Sequence, residues 1–306
     1  MEGTAPRLAA VGECMLELRG SGGNGLALGY GGDVFNTALY ASRLGLEVSF
    51  LSAVGDDYYS RWLIKRWRAD GVDCAHVREI AGATPALYII RTDAEGERSF
   101  TYWRSASPFR HWLDEGGYVE TLGGVLSGFD AVYFSGITLA MLDDAAKQSW
   151  LDRVEAFRSD GGLVAFDPNY RPVLWSDSGE AGFWIDQAYA RADVILPSIE
   201  DESNIRGQTE PDALLASLAA LSATEIVIKR GTSTCVVFHN GRRIDISIRE
   251  APNATDTTAA GDSFNAGYLQ ARLTGQPPRE AAQRGADLAA KVVRHPGAII
   301  PIEAMP

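Results

Sequence analysis

The chain of 306 residues carries a formal net charge of −12, with 46% hydrophobic and 22% charged residues. This composition is ordinary for a globular protein with a large core. The acidic balance excludes a surface built broadly for nucleic acid or anionic membranes. The N-terminus lacks a signal-peptide pattern, and no apolar run is long enough to span a bilayer. We therefore expect a cytoplasmic protein, and the acidic balance says little about small-molecule ligands.

The cysteines are three in number, Cys14, Cys74 and Cys235, and they lie far apart in the sequence. This pattern predicts buried thiols in a reducing compartment rather than a disulfide framework. The four histidines are scattered, so they form no recognisable set of metal ligands.

Short apolar, β-branched runs alternate with helical patterns along most of the chain. The runs are residues 8–11, 48–54, 131–134, 163–166, 194–196 and 226–228. This alternation predicts an α/β fold, a mostly parallel central sheet flanked by helices, in one catalytic domain over residues 1–306. Ligands bind such sheets beyond the carboxyl ends of the strands. Three polar segments follow predicted strands there: residues 167–171, 198–202 and 229–231.

Two stretches do not fit the alternation. Residues 15–32 are rich in glycine and show no helical period, and residues 86–104 predict two strands around a turn at 93–96. Together they predict a small antiparallel sheet beside the main one, a β lid from about residues 14–32 and 86–107. The alternative is an edge hairpin on the main sheet.

The segment Asp-Thr-Thr-Ala-Ala-Gly-Asp-Ser-Phe at residues 256–264 is the strongest signal. Apolar or small residues follow it at helical spacing, so a helix begins near Ala259, Ala260 and Gly261. A helix start offers unpaired amides and a partial positive charge, and small residues let a phosphate approach them. Asp262 in the first turn can accept a proton from a hydroxyl. The spacing alone equally allows a plain first-turn acid beside a tight turn.

This segment resembles the C-terminal signature of the ribokinase-like (PfkB) carbohydrate kinases. That family usually has Gly-Ala-Gly-Asp here, whereas this chain has Ala259 at the first glycine. Because alanine is also small, the departure is expected to be mild. The resemblance implies an ATP-dependent kinase in which Asp262 is the catalytic base and the amides of residues 259–261 hold the charge on the transferred group.

A second segment, Gly-Gly-Asp-Val-Phe-Asn-Thr-Ala at residues 31–38, resembles the family's Gly-Gly…Asn-x-Ala element at the sugar. Glycine permits close backbone approach, and Asp33 and Asn36 can bind sugar hydroxyls. The resemblance implies sugar contacts from Gly31, Gly32, Asp33 and Asn36. The alternative, compatible with it, is an N-cap at Asp33.

The nucleotide side rests on the resemblance alone. Lys229 and Gly231 match the strand and turn beside ATP, where Gly261 and Asn169 are also implied. Ser198 and Asp201 stand where the family has Asn-x-x-Glu, which orders Mg²⁺; Glu200 is adjacent and the choice of carboxylate is open. Asp256 and Thr258 match positions that border a monovalent cation such as K⁺. The alternative is that Asp256 only holds its loop.

The acceptor is suggested by aromatic and basic residues. Tyr88, Tyr102, Arg104 and Arg171 fall around the expected sugar pocket, and an arginine fork pairs well with a carboxylate. The chain is similar, end to end, to the 2-keto-3-deoxygluconate kinases of this family. An acidic sugar is therefore expected. The alternatives are that these arginines form surface ion pairs, or that Arg171 serves the ATP phosphates.

Other functions stay open at this stage. The acceptor could be fructose, ribose or a nucleoside, and a binding protein without catalysis is not excluded. Residues 20–25 match the dinucleotide pattern G-x-G-x-x-G, but that pattern needs a helix directly behind it, and the next helical pattern begins near Asp33. The expected partners are a sugar acid and ATP, without nucleic acid or membrane, and with self-association left open.

Overall fold

The computed structural model describes residues 5–20, 25–92, 98–113, 118–231, 234–248 and 254–306. The described strands are, in chain order, β1 (Arg7–Val11), β2 (Met15–Gly20), β3 (Leu26–Gly31), β4 (Glu47–Gly55), β5 (Val77–Ile80), β6 (Leu87–Thr92), β7 (Arg98–Trp103), β8 (Ala131–Ser135), β9 (Leu163–Asp167), β10 (Val194–Ile195), β11 (Glu225–Arg230), β12 (Thr234–His239) and β13 (Arg242–Ser247). The described α-helices are α1 (Asp33–Arg43), α2 (Tyr58–Ala69), α3 (Tyr118–Leu126), α4 (Gly136–Ala140), α5 (Asp144–Ser159), α6 (Ser178–Arg191), α7 (Ile199–Arg206), α8 (Pro211–Ala219), α9 (Ala260–Leu273) and α10 (Pro278–Val292).

The central sheet has nine strands in the order β13-β12-β11-β10-β9-β8-β1-β4-β5. All pairs from β11 to β5 are parallel, whereas β12 and β13 form an antiparallel edge. The prediction of a mostly parallel sheet is confirmed, and all six predicted strands are present. The hairpin β12–β13 was not predicted, because the edge strand β13 is largely exposed and lacks a continuous apolar run.

Helices cover both faces of this sheet. In β1, Ala9 and Val11 pack in one core cluster, while Leu8 and Ala10 pack in the other. Successive side chains of a strand point to opposite faces, so a strand buried on both faces needs a continuous apolar run. The run Leu-Ala-Ala-Val meets that need, and so does the fully buried strand β8.

A separate sheet of four strands, in the order β3-β2-β6-β7, lies outside the central one. The hairpins β2–β3 and β6–β7 are antiparallel, but β2 and β6 pair in parallel. The predicted small sheet is therefore present, while the expectation that it is wholly antiparallel is wrong. The alternative of an edge hairpin on the main sheet is also wrong. The predicted turn at 93–96 lies outside the described residues.

Helices α9 and α10 pack against each other in the C-terminal part of the chain. The helix face predicted for α9 is buried, including Phe264, Tyr268 and Ala271. A Cβ added at Gly267 would lie 2.9 Å from the Cα of Gly285, so the two helix backbones touch. This contact fixes the middle of α9 against α10.

Two further findings concern the chain as a whole. The three cysteines are buried and free, as predicted. Within the ranges given above, none of the helices is both long and apolar enough to cross a lipid bilayer.

Candidate active site

The first turns of α1 and α9 meet beyond the carboxyl end of the central sheet. Asn36 Nδ2 donates to Asp262 Oδ2 at 2.8 Å, and Thr37 Oγ1 donates to the main-chain oxygen of Asp262 at 3.1 Å. The structure thus brings together the two segments that carry the family resemblance. Asn36 was expected to bind the sugar; here it holds the carboxylate of Asp262.

The carboxyl group of Asp262 is half-buried and lies among other acids. Burial, and then the negative charge of Asp33, raise its pKa to about 7. The hydrogen bond from Asn36 lowers the pKa, and Asp167 raises it further. A carboxylate that titrates near neutrality can take a proton from an alcohol more readily than an ordinary aspartate.

The bend before α9 has a left-handed backbone at Ala259, with φ 59° and ψ 16°. Helix α9 begins at Ala260, as predicted, and the first amides of any helix lack partners inside it. The departure from glycine at Ala259 is not mild, because its side chain must tolerate a conformation that costs about 1 kcal/mol or more. The prediction of a mild departure considered only the size of the side chain. The left-handed backbone at residue 259 favours glycine for its conformational freedom.

A buried cluster of charges lies directly beside this bend. Lys229 Nζ donates to Asp167 Oδ2 at 2.9 Å and to Asn265 Oδ1 at 3.2 Å. Asn265 Nδ2 donates to the same Asp167 oxygen at 2.5 Å. A Cβ at Gly261 would lie 3.8 Å from Nζ, so the ammonium faces the start of α9. The site therefore places the ammonium of Lys229, paired with Asp167, beside the start of α9.

Sequence analysis gave no role to Asp167 or Asn265. The available signals were their positions: Asp167 ends β9, and Asn265 lies three residues after Asp262 on the same helix. Residues three apart on a helix share a face. The partners of these two side chains could not be found from spacing, because the contacts join residues 62 and 98 positions apart.

Asn169 links the two sides of the site. Its side chain donates to Asp33 Oδ2 at 2.9 Å, and its main-chain amide donates to Asp167 Oδ1 at 3.0 Å. Its φ of 32° is left-handed, a conformation that asparagine tolerates better than most residues. Asn169 was expected on the nucleotide side, whereas here its side chain contacts Asp33 of the implied sugar side.

The start of α1 depends on a close approach of two backbones. A Cβ at Gly32 would lie 2.2 Å from the main-chain oxygen of Glu13, so only glycine fits. The N-cap of α1 is Gly32, and Asp33 is in the first turn. The alternative of an N-cap at Asp33 is therefore wrong, and its carboxylate remains available to the pocket beside Asn169.

The predicted magnesium segment forms the start of α7. Ser198 is the N-cap and accepts a hydrogen bond from the amide of Asp201 at 3.0 Å. Burial, and then the charge of Asp167, raise the pKa of Asp201 to about 6. Arg171 Nη1 is 3.8 Å from Asp201 Oδ1, whereas Glu200 is exposed. Asp201 is therefore the carboxylate that faces the charged cluster.

Gly231 follows the end of β11 and is exposed, with φ 63°. A side chain at this position would meet open space, so only the left-handed backbone requires glycine here. This observation is compatible with the implied turn beside the nucleotide.

The small sheet contributes the aromatic and basic residues. Tyr88 Oη donates to Glu17 Oε2 at 2.5 Å, and a Cβ at Gly31 would lie 2.8 Å from that hydroxyl. Tyr102 is 47% exposed, and its ring centroid is 5.9 Å from that of Tyr88. Gly31 therefore lets the Tyr88 hydroxyl approach the entrance to α1.

Arg104 already has a carboxylate partner within the protein. Its Nε lies 2.5 Å from Glu13 Oε2, and both side chains are largely buried. Arg171 has Asp201 nearby but is half-exposed. The expectation that these two arginines bind a substrate carboxylate is thus incomplete, because each already lies near a carboxylate of the protein. Glu13 is a residue of the candidate site that sequence analysis did not identify.

The predicted cation segment is closed by hydrogen bonds. Asp256 Oδ1 accepts from the Thr258 amide at 2.8 Å, and Oδ2 accepts from the Gly297 amide at 2.6 Å. The structure thus brings Asp256 and Thr258 together with Gly297. These contacts support the alternative that Asp256 fixes the loop.

Comparison with known proteins places this geometry in a family. The model of the pfkB family carbohydrate kinases matches residues 5–305. The chain is 39% identical to a 2-dehydro-3-deoxygluconokinase of Dickeya dadantii, with 99% of each chain covered. It is 37% identical to the enzyme of the same name from Escherichia coli K12, covering 98% of this chain and 99% of the other.

The fold agrees with a crystal structure from the same comparisons. A fructokinase from Xylella fastidiosa with bound ATP superimposes with a TM-score of 0.84 at 21% identity, covering 98% of this chain and 95% of that one. The predicted ribokinase-like fold class is confirmed. The match over nearly the whole chain and the 39% identity show that this protein belongs to the pfkB family of carbohydrate kinases.

Proposed function

We propose that this protein transfers the terminal phosphoryl group of ATP to the terminal hydroxyl of 2-keto-3-deoxygluconate. The observation that carries the proposal is the end-to-end similarity to 2-dehydro-3-deoxygluconokinases, joined to an intact site around Asp262. A chain that kept the fold but had lost catalysis would not need this carboxylate, its raised pKa and the adjacent ammonium together.

Asp262 acts as the general base on the acceptor hydroxyl. Its pKa of about 7 makes it a stronger proton acceptor than a solvated aspartate, and Asn36 fixes the direction of its carboxylate. The bend presents the amide of Gly261 to the phosphoryl group, with Lys229 beside it, whereas the amide of Ala260 donates to the main-chain oxygen of Thr257 at 3.2 Å. Charge that builds up on the transferred group is then stabilised by groups that are already in place.

Magnesium is part of the proposal, as in phosphoryl transfer generally. The donor set fits a hard cation, because Asp201 is a carboxylate near the carboxylate of Asp167, and burial and then the charge of Asp167 raise its pKa. Asp201 would hold the ion through its oxygen atoms, with Ser198 fixing the helix start. The ion would neutralise phosphate charge. Glu200 is less suited because it is exposed.

A monovalent cation such as K⁺ at Asp256 and Thr258 stays a prediction. Both carboxylate oxygens of Asp256 already accept amide hydrogen bonds. Fixing the loop behind the bend is therefore the better supported role for this residue.

We place the acceptor between the small sheet and the start of α1. The Tyr88 hydroxyl lies close to Gly31, Tyr102 lies beside Tyr88, and Arg104, just after β7, pairs with Glu13, whose main-chain oxygen lies against Gly32. Arg104 offers the fork that recognises a carboxylate, while Asp33 offers an acceptor for sugar hydroxyls. The small sheet would then act as a lid on a single catalytic domain, excluding water during transfer.

The ion pair of Arg104 with Glu13 is the observation that favours a second candidate, a kinase for a neutral sugar such as fructose or ribose. A carboxylate of the protein that cancels the charge of Arg104 reduces the general attraction for an anionic acceptor. The similarity over nearly the whole chain to 2-dehydro-3-deoxygluconokinases favours the sugar acid over a neutral sugar.

The test is ATP consumption with 2-keto-3-deoxygluconate, fructose and ribose as acceptors at equal concentrations, with Asp262→Asn as the matched inactive variant. We expect turnover with the sugar acid that exceeds turnover with either neutral sugar at least tenfold. The Asn variant should lose roughly two to four orders of magnitude while it still binds ATP. Faster turnover of fructose or ribose would replace the proposal by the second candidate.

Cellular location and assembly complete the proposal. Buried free thiols support a reducing compartment, the cytoplasm. Exposed aromatic side chains on the small sheet, such as Phe100 and Trp103, support self-association of the chain. Size-exclusion chromatography with light scattering tests that second statement.

A further inference from the structure

Glu13 lies just beyond β1, with its main-chain oxygen against Gly32 and its side chain under Arg104. The Glu13 side chain is 2% exposed and the Arg104 side chain is 11% exposed. The pair therefore joins the end of the small sheet to the end of the central sheet, at the entrance to the proposed sugar site.

The contact uses one atom of each partner. Glu13 Oε2 accepts from Arg104 Nε, while Glu13 Oε1 is buried without a hydrogen-bond partner. A buried carboxylate oxygen without a donor is costly, so the fold would gain from an uncharged residue here. Such a cost persists where a site, rather than the stability of the fold, requires the group.

The geometry of the contact leaves the rest of the guanidinium available. Among the residues that the structure describes, the bond from Nε is the side-chain hydrogen bond of Arg104, whose main-chain oxygen accepts from the Ser107 amide at 3.1 Å. Its two terminal nitrogens therefore retain their donors. An arginine that is held at Nε can present both terminal nitrogens in a fixed plane, the arrangement that binds a carboxylate through two parallel bonds.

We propose that Glu13 is a specificity-determining positioning residue, which orients Arg104 so that its terminal nitrogens form a rigid fork for the carboxylate of the acceptor. This inference rests on the proposed function and deepens it. Specificity then comes from orientation rather than from net charge, since Glu13 cancels the charge of Arg104. A neutral sugar leaves the fork unpaired, which penalises its binding.

Two substitutions separate orientation from charge. Glu13→Gln keeps the length of the side chain and an oxygen for Arg104 Nε but removes the charge. Glu13→Asp keeps the charge but withdraws the carboxylate from Nε by one methylene. If orientation matters, Glu13→Asp should raise the KM and the calorimetric Kd for 2-keto-3-deoxygluconate roughly tenfold or more, and Glu13→Gln by less than about threefold. The KM for ATP should stay unchanged in both.

Glu225→Asp is the matched control. It shortens another largely buried carboxylate that holds an arginine, Arg272, but at the amino end of β11, whereas Glu13 follows the carboxyl end of β1. It should lower the melting temperature and leave both KM values unchanged.

Three outcomes would overturn the inference: equal losses in Glu13→Asp and Glu13→Gln, an unchanged Kd for the acid in Glu13→Asp, or an equal rise of the KM for ATP. Failure of the wild-type protein to phosphorylate the acid would instead refute the proposed function. The two failures are therefore distinguishable.

Discussion

Asn36 and Asp262 are 226 residues apart in the sequence, yet Nδ2 of the first donates to Oδ2 of the second at 2.8 Å. An N–H donor stabilises the ionised form of a carboxylate, so this bond holds the pKa of Asp262 below the value that burial and Asp33 would otherwise give it. The amide group of Asn36 thus orients the carboxylate of Asp262 and lowers its pKa, against burial and Asp33, which raise it.

Replacing Asn36 should therefore shift the pH dependence of catalysis. The base must be deprotonated to accept the hydroxyl proton, so kcat/KM falls as the pH drops through the pKa of about 7. In Asn36→Leu the donor is lost, the pKa of Asp262 rises, and the acidic limb of the pH–rate profile should move to higher pH by roughly one unit.

Thr37→Val is the matched control, because the hydroxyl of Thr37 donates to the main-chain oxygen of Asp262 rather than to its carboxylate. It should leave the acidic limb in place. A limb that stays fixed in Asn36→Leu would show that Asp262 is not the titrating group.

The fold followed from the sequence where the residues repeat a simple pattern. Strands such as β1 and β8 are buried on both faces and have continuous apolar runs. The edge strand β13 and the parallel pairing of β2 with β6 carry no such pattern, because edge strands are half-solvated and pairing direction depends on connections far along the chain.

Some residues of the candidate site could likewise be predicted from the sequence, and others could not. The sequence predicts the positions of Asp262 and Gly32, because each lies in a segment with a local backbone requirement. For Asp262 this is the start of a helix, and for Gly32 it is the close approach of two backbones. The partners of Lys229 and Arg104 came from elements that meet only after folding, so no spacing in the sequence indicates Asp167 or Glu13. Side-chain pairing across distant elements is the part that the sequence leaves open.

Ala259→Gly should stabilise the protein. Ala259 has a left-handed backbone, which strains an alanine but not a glycine. Part of the gain is offset by the greater freedom of glycine in the unfolded chain, so we expect about 0.5–1 kcal/mol in the free energy of unfolding.

Thermal or denaturant unfolding measures this difference. Ala260→Gly is the matched control, since Ala260 lies within α9 and the same substitution there should destabilise. Equal effects of the two substitutions would contradict the strained conformation.

Asp201→Asn should weaken the use of Mg²⁺. Loss of the carboxylate that faces the charged cluster should raise the Mg²⁺ concentration needed for half-maximal activity roughly ten- to a hundredfold. Glu200→Gln removes a charge from the neighbouring, exposed position and should have little effect. A larger effect of Glu200→Gln would reverse the assignment. Excess chelator should abolish the activity of the wild-type protein.

Arg104→Ala should separate the two substrates of the reaction. The KM for the sugar acid should rise roughly tenfold or more, because a fork of charge-assisted hydrogen bonds is lost, while the KM for ATP should change little. Arg104→Lys should not restore the acid KM, since lysine has no planar fork. A parallel rise in both KM values would place Arg104 outside the sugar site.

The contact between α1 and α9 also has a consequence for synthesis of the protein. Asn36 leaves the ribosome long before Asp262 does, so a growing chain can already form the Gly32 turn while it still lacks its base. With Asp262 as the proposed base, nascent or truncated chains without α9 are expected not to transfer phosphoryl groups. The appearance of ATP consumption during synthesis or refolding can therefore report when α9 docks against α1.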